Sequence, residues 1–290
     1  MKKNNILLVV LIVLCLGVFF GYRALDSLRS DNEAPTIHMS TQIPEISVED
    51  PKNTLLQGIT AKDNRDGDVT DSVVVEGLEL LSSDGRLQVS YAAFDKAGNV
   101  AKSQREAKYV DYRRPRFTLE GPLLYRMGSN FDVLSTVGAT DVIDGDIQHR
   151  IRATSMVTYS IAEQGIHDVQ FQVSNSLGDT STAVFPVEVY DPTDFEATLT
   201  LNSYLVYLKQ GETFSSQTYL GTFVLMGDTT VLDGKLPAKY SLKTNGTVQT
   251  QTPGVYPVEY RVTYTQKHET DPARDREYTG YSKLIVIVEG

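Results

Sequence analysis

The strongest constraint on this chain is that it repeats itself. Pro35-x-Ile37 returns as Pro115-x-Phe117, and Gly85-x-x-x-Val89-x-Tyr91 returns as Gly165-x-x-x-Val169-x-Phe171. Asp95-x-x-Gly98-Asn99 returns as Asn175-x-x-Gly178-Asp179, and Asp111 as Asp191, all at an interval of 80 residues. A fixed interval of this kind marks one folding unit copied along the chain, so the fold of one copy is the fold of most of the protein. A third copy is looser. Gly254-x-Tyr256-x-Val258-x-Tyr260-x-Val262 follows the Gly165 segment at 89 residues.

Within each copy the hydrophobic period is two. "LQVSYAAF", "HDVQFQVSN" and "YPVEYRVTY" alternate apolar and polar residues, as half-buried strands do. Gly, Asn and Asp punctuate them at turn spacing. No amphipathic helical pattern stands out beyond the N-terminal segment. The single cysteine, Cys15, lies in that segment, so each β unit must be held by its apolar core rather than by disulfides. Residues 24–290 are too many for one ordinary core and suit two or three domains.

The order A-x-D-x-x-D-G-D-[VI], G-x-x-x-V-x-[YF], D-x-x-G-N, closing strand, D-x-x-x-P resembles the bacterial immunoglobulin-like domains carried in tandem on secreted and surface proteins. It is most similar to the type described from pesticidal crystal proteins. The first copy fits well, the second fairly, the third only in its late strands. The resemblance implies about seven strands per domain. The expectation is an all-β protein, with three tandem immunoglobulin-like β-sandwiches after one N-terminal transmembrane helix. The boundaries expected are 1–23 for a cytoplasmic tip and anchor, 24–33 for a linker, 34–113 and 114–192 for two sandwiches, and 193–290 for a diverged third.

The anchor is read from the N-terminus. Lys2 and Lys3 precede an uncharged run that is apolar almost throughout residues 6–22. That is near the lower limit for crossing a bilayer, about 17 to 25 residues, and longer than the apolar part of a signal peptide, about 7 to 15. Cleavage before or after Ala24 is disfavoured by the bulky Tyr22. An uncleaved single-pass signal anchor is expected, with the basic end in the cytoplasm and the domains outside the cell. Beyond residue 23 the chain carries 37 acids against 24 bases. Such a charge excludes nucleic acid and anionic lipid surfaces as natural partners.

The most concentrated chemistry is acidic. "AKDNRDGDVTDSV" holds Asp63, Asp66 and Asp68, and "ATDVIDGDIQHRI" holds Asp141, Asp144 and Asp146 in the same spacing. An EF-hand with Gly67 at its glycine position would begin at Lys62 and end at Val73, neither of them a carboxylate ligand. The Gly145 register fails in the same way, at Thr140 and Ile151. Two readings remain. The aspartates are turn residues that accept backbone N–H bonds, or they hold a hard cation such as calcium. In an immunoglobulin sandwich this turn and the Asp95–Asn99 turn share a pole. Asp63, Asp66, Asp68 and Asp95 should then converge, as should Asp141, Asp144, Asp146 and Asn175.

No catalytic constellation emerges: there is no H-E-x-x-H, G-x-S-x-G or phosphate loop. The chain is therefore not expected to be an enzyme, and no cofactor beyond possible calcium is implied. Nine of 16 tyrosines fall after residue 192. Tyr256, Tyr260 and Tyr264 share one strand face, either a core face with hydroxyls at its rim or an outer binding surface. On the second reading Tyr204, Tyr207, Tyr219, Tyr256 and Tyr264 would contact a partner. The function expected is presentation of a distal binding domain on a stalk, with a cell-envelope glycan or surface protein as partner. The alternatives are a structural component of an envelope assembly and, more distantly, a glycan-active enzyme.

Overall fold

A computed structural model describes residues 30–153, 163–191, 193 and 195–290, the helical backbone of residues 2–29, and the side chains of residues 8–23 within that helix. The expected boundary at Pro192, and the side chains of residues 24–29 in the expected linker, lie outside these described residues. Helix α1 is continuous over Lys2–Arg29, and its described side chains, Leu8 to Arg23, are exposed. Among the described residues no helix is long and apolar enough to cross a membrane. The rest of the chain is mostly β. It divides into two compact units, one ending at Tyr112 and one running from Arg113 to Gly290.

The β part of the first unit has seven strands: β1 (Thr36–Met39), β2 (Glu45–Ile46), β3 (Ile59–Asp63), β4 (Gly67–Asp68), β5 (Val74–Leu80), β6 (Arg86–Phe94) and β7 (Val100–Tyr109). One sheet has the order β1-β3-β4, the other β2-β7-β6-β5. Their inner faces supply the core. β3 contributes Ile59 and Ala61, β6 Leu87, Val89, Tyr91 and Ala93, and β7 Ala107 and Tyr109, all buried. The period-two alternation thus becomes an inner apolar face and an outer polar one. A 3-10 turn at Lys52–Leu56 closes one side. It is tied down by polar contacts inside the core: Tyr91 Oη donates to Leu55 O at 2.9 Å, and Arg105 Nη2 donates to the same carbonyl at 2.8 Å. Gly85, at φ +91°, opens β6, where a Cβ would strike Tyr109 O and Tyr112. This accounts for the glycine that heads the repeat motif.

The second unit begins with another copy of the same plan. Its strands are β8 (Arg116–Leu119), β9 (Leu124–Arg126), β10 (Val137–Asp141), β11 (Gly145–Asp146), β12 (Arg152–Ala153), β13 (Gly165–Ser174) and β14 (Thr180–Tyr190), with a short helix α2 (Val133–Thr136) before β10. The sheets are β11-β10-β8 and β12-β13-β14-β9. Phe117, Phe171 and Phe185 meet between them with ring centroids 5.6–6.5 Å apart.

The C-terminal part comprises β15 (Ala197–Leu201), β16 (Leu205–Lys209), β17 (Leu220–Leu225), β18 (Asp228–Val231), β19 (Tyr240–Asn245), β20 (Gly254–Gln266) and β21 (Arg276–Glu289). The pairing order is β18-β17-β15-β21-β20-β19, with β16 also on β21. β21 pairs antiparallel with β20 from Gly254↔Val288 to Gln266↔Arg276. Its early part pairs parallel with β15 and its late part parallel with β16. One long strand is therefore paired along both of its edges. Leu199, Phe223, Val258, Tyr260, Val262, Leu284 and Val286 form this part's own core. Leu205 and Ile285 instead join the Phe117–Phe171–Phe185 core, so the apolar interior runs continuously from the second copy into the C-terminal strands.

Candidate functional site

In the first unit the aspartate turn is the β3–β4 hairpin, with Asp63 opposite Gly67. Gly67 sits at φ +74°, the left-handed conformation that favours glycine. Asp63 Oδ1 accepts the backbone N–H groups of Arg65 and Asp66, each at 2.8 Å. These bonds hold the Asp63 carboxyl below its ordinary pKa. Asp66 reaches across to the β6–β7 turn, where its carboxylate accepts Lys96 N at 2.8 Å and pairs with Lys96 Nζ at 3.3 Å. Asp68 lies apart and accepts Thr70 N at 3.0 Å.

Asp95 begins the β6–β7 turn and is nine-tenths buried. Burial pushes its carboxyl up, but bonds from the Asn99 amide and the Asn99 and Gly98 backbone outweigh it and hold the pKa low. The structure adds a residue that sequence reasoning missed. One carboxylate oxygen each of Asp31, Asp63 and Asp95 lies within 4.8 Å of the other two. Asp31 follows helix α1 by two residues, in the segment expected to be linker. Asn99 Nδ2 fastens that segment by donating to Asp31 O and Glu33 O, both at 3.1 Å. A signal for Asp31 existed: Asp31, Asp111 and Asp191 are spaced 80 residues apart.

The second copy repeats the turn with one exchange. Asp141 Oδ1 accepts Ile143 N and Asp144 N at 2.8 and 3.1 Å, as Asp63 does for its own turn. Asp144 accepts Ser176 N at 2.6 Å and Arg150 Nη1 at 2.7 Å. Burial pushes the Asp144 carboxyl up, and these partners more than reverse it. Asp146 turns away to Gln148 N at 2.9 Å. Asn175 stands where the first copy has Asp95. Its amide donates to Asp141 Oδ2 at 3.2 Å.

The five tyrosines singled out in sequence are all half-buried and engaged in packing. Tyr204, Tyr219, Tyr256 and Tyr264 lie against the C-terminal core. Tyr204 Oη accepts Leu201 N at 3.4 Å, and Tyr256 Oη donates to Thr252 O at 2.8 Å. Tyr219 stacks on Phe214, and Tyr264 lies against Tyr240 and Tyr278. Tyr207 packs on the second copy's core, where its hydroxyl accepts Phe117 N at 2.8 Å and Arg116 covers its ring at 4.7 Å. Burial pushes its hydroxyl up to about 12.

Beside Tyr207 the second unit has a cleft of about 640 Å³, a size suited to a small ligand or one stretch of a polymer. Arg113, Arg114, Arg116 and Lys209 bring four cations to it, and Glu212 and Glu289 also line it. Arg116 is taken up by Glu289, with Nε and Nη2 at 3.0 and 2.6 Å from Oε1. Arg114 is held by Asp179 at 3.4 Å. Arg113 and Lys209 are exposed and their side chains have no partner among the described residues.

No family model matches the chain. An uncharacterised 81.3 kDa protein of Acholeplasma phage L2 is 45% identical over 60 residues, which is 21% of this chain. The chain spans 8% of that relative's length. Among solved structures, CBM51-2 in complex with GlcNAc and INT domains from Clostridium perfringens ZmpB is 13% identical, covering 88% of this chain and 44% of that one, with a TM-score of 0.22. Protocadherin gamma B2 extracellular cadherin domains 1–5 are 10% identical, covering 90% and 61%, with a TM-score of 0.18. Human CDH23 EC21-23 is 13% identical, covering 88% and 100%, with a TM-score of 0.20. The sandwich assignment rests on the strand pairing and cores described above.

Proposed function

We propose that the chain is a single-pass surface protein, held in the membrane by helix α1, that presents three immunoglobulin-like sandwiches outside the cell and binds an anionic cell-envelope glycan. The kinship with the pesticidal crystal-protein type of repeat belongs to this reading, as does the absence of enzymatic activity. The observation that carries the binding role is the cleft beside Tyr207. It gathers four cations on a chain of net charge −10 and leaves Arg113 and Lys209 available. Guanidinium and ammonium groups left without acidic partners suit the acidic substituents of such a glycan. The anchor is supported by Lys2 and Lys3 ahead of the apolar run.

The test is cosedimentation of the detergent-solubilised full chain with purified anionic wall glycan. Wild type should sediment with the glycan and be released by salt, while an Arg113→Ala/Lys209→Ala variant should lose about tenfold in affinity, or roughly 1.4 kcal/mol. Equal retention of that variant would remove the cleft from the binding role. Protease added to intact cells should degrade the chain beyond residue 29, and full protection would refute the external location.

A further inference from the structure

We propose that the first unit binds one calcium ion between Asp31, Asp63 and Asp95, and that the second copy of the repeat has lost this site through Asn175. The two turns have the same backbone scaffold and differ in how one oxygen is satisfied. In the second copy Asp141 Oδ2 accepts the Asn175 amide at 3.2 Å. In the first copy an aspartate occupies the equivalent place, and a carboxylate has no N–H to give. Asp63 Oδ2 is accordingly buried with no hydrogen-bond partner among the described residues, on a side chain only 8% exposed.

That oxygen is thus removed from water, on a carboxylate that has an oxygen within 4.8 Å of an oxygen of each of two further carboxylates. A buried acceptor left unsatisfied is destabilising, the more so when it is charged, and adjacent like charges add repulsion. A cation meets both demands together. The donors are all oxygens, which selects a hard ion. They come from three separate segments, the stretch after α1, the end of β3 and the β6–β7 turn. Such irregular geometry suits calcium better than magnesium, which demands a near-ideal octahedron.

The site goes beyond glycan binding and is independent of it. It draws the segment after α1 into the first sandwich, because one of its ligands, Asp31, lies ahead of the first strand.

The experiment is equilibrium dialysis of the detergent-solubilised full chain against calcium at fixed ionic strength. One ion per chain is expected, with half-saturation at about 0.1 to 1 mM, the range of extracellular calcium modules. Asp95→Asn and Asp31→Asn should each weaken binding by about tenfold or more, since affinity follows ligand charge count. Asp146→Asn, in the second copy, should leave it unchanged. In chelator, Asp95→Asn should melt no lower than wild type, because its amide can reach Asp63 as Asn175 reaches Asp141. No uptake by folded wild type at ~10 mM calcium, well above that range, would overturn the proposal. So would unchanged affinity in Asp95→Asn or Asp31→Asn.

Discussion

A single position shows how one repeat motif can carry three different environments. Tyr91, Phe171 and Tyr260 are equivalent in the three copies and all are fully buried. Tyr91 uses its hydroxyl, donating to Leu55 O and accepting from Arg105 Nη2 at 3.2 Å. Tyr260 Oη has no partner among the described residues, and burial drives its pKa upward. The same substitution should therefore act with opposite sign. Tyr91→Phe leaves Arg105 short of an acceptor and should cost about 1–3 kcal/mol. Tyr260→Phe removes an unsatisfied hydroxyl and should be neutral or stabilising by about 1 kcal/mol. Urea denaturation of the two variants reads both values, and a loss at Tyr260 comparable to that at Tyr91 would refute the distinction. The aspartates set a second expectation. Asp63, Asp68 and Asp144 all have folded pKa values below 3.8, their ordinary value. A depressed folded pKa contributes stability that is present above the unfolded pKa and is lost as pH falls through the folded one. Melting temperature in chelator should therefore hold above about pH 4 and fall steadily below it. A melting temperature that rises on acidification would contradict these hydrogen bonds.

At the scale of elements, the informative contact joins β14 to β21. Lys283 is 5% exposed and pairs with Glu188, whose Oε2 also accepts Tyr281 Oη at 2.9 Å. Removing one partner of such a pair strands a buried charge, at about 3–5 kcal/mol. Glu188→Gln should lower the stability of the second unit by that amount. Adding Lys283→Met should restore most of it, and chemical denaturation of the single and double variants checks both. None of this was legible in the sequence, because Glu188 alternates with Val187 and Val189 as an outward position of an ordinary strand does, and Lys283 follows Ser282 at the polar edge of the apolar run that starts at Leu284. The strands themselves were legible: "LQVSYAAF" is β6 and "YPVEYRVTY" lies within β20, since period two survives whatever packs on the inner face. The aspartate turns were legible as turns, and the pole shared by Asp63 and Asp95 followed from the resemblance. Asp31 escaped because it precedes the first strand, where no alternation marks it as part of the sandwich. The strand bearing Tyr256, Tyr260 and Tyr264 left a core face and an outer face open in sequence. In the fold these rings pack on the C-terminal core, and Phe223 and Leu284, remote in sequence, supply the far side.

At the scale of the whole molecule, the two compact units divide at Tyr112 and Arg113, whereas the apolar interior runs without a break from Phe117 to Leu205 and Ile285. Residues 34–112 should fold alone into an all-β unit, and residues 113–290 should melt in one cooperative transition by calorimetry. A fragment ending at residue 191 should lose the cover supplied by Leu205 and Ile285 and bind a hydrophobic dye. A native-like melt of that fragment would show the C-terminal strands to be dispensable. The long final strand has a further consequence, a mechanical one. β21 lies against β20 over their whole paired length and runs parallel to β16 from Leu205↔Ile285 to Lys209↔Glu289. A pull along β21 from its C-terminal end does not peel these bonds apart in turn but shears them together, so the load is shared by both ladders. A chain caught at that end would hold under tension until the whole strand slipped, and then release at once.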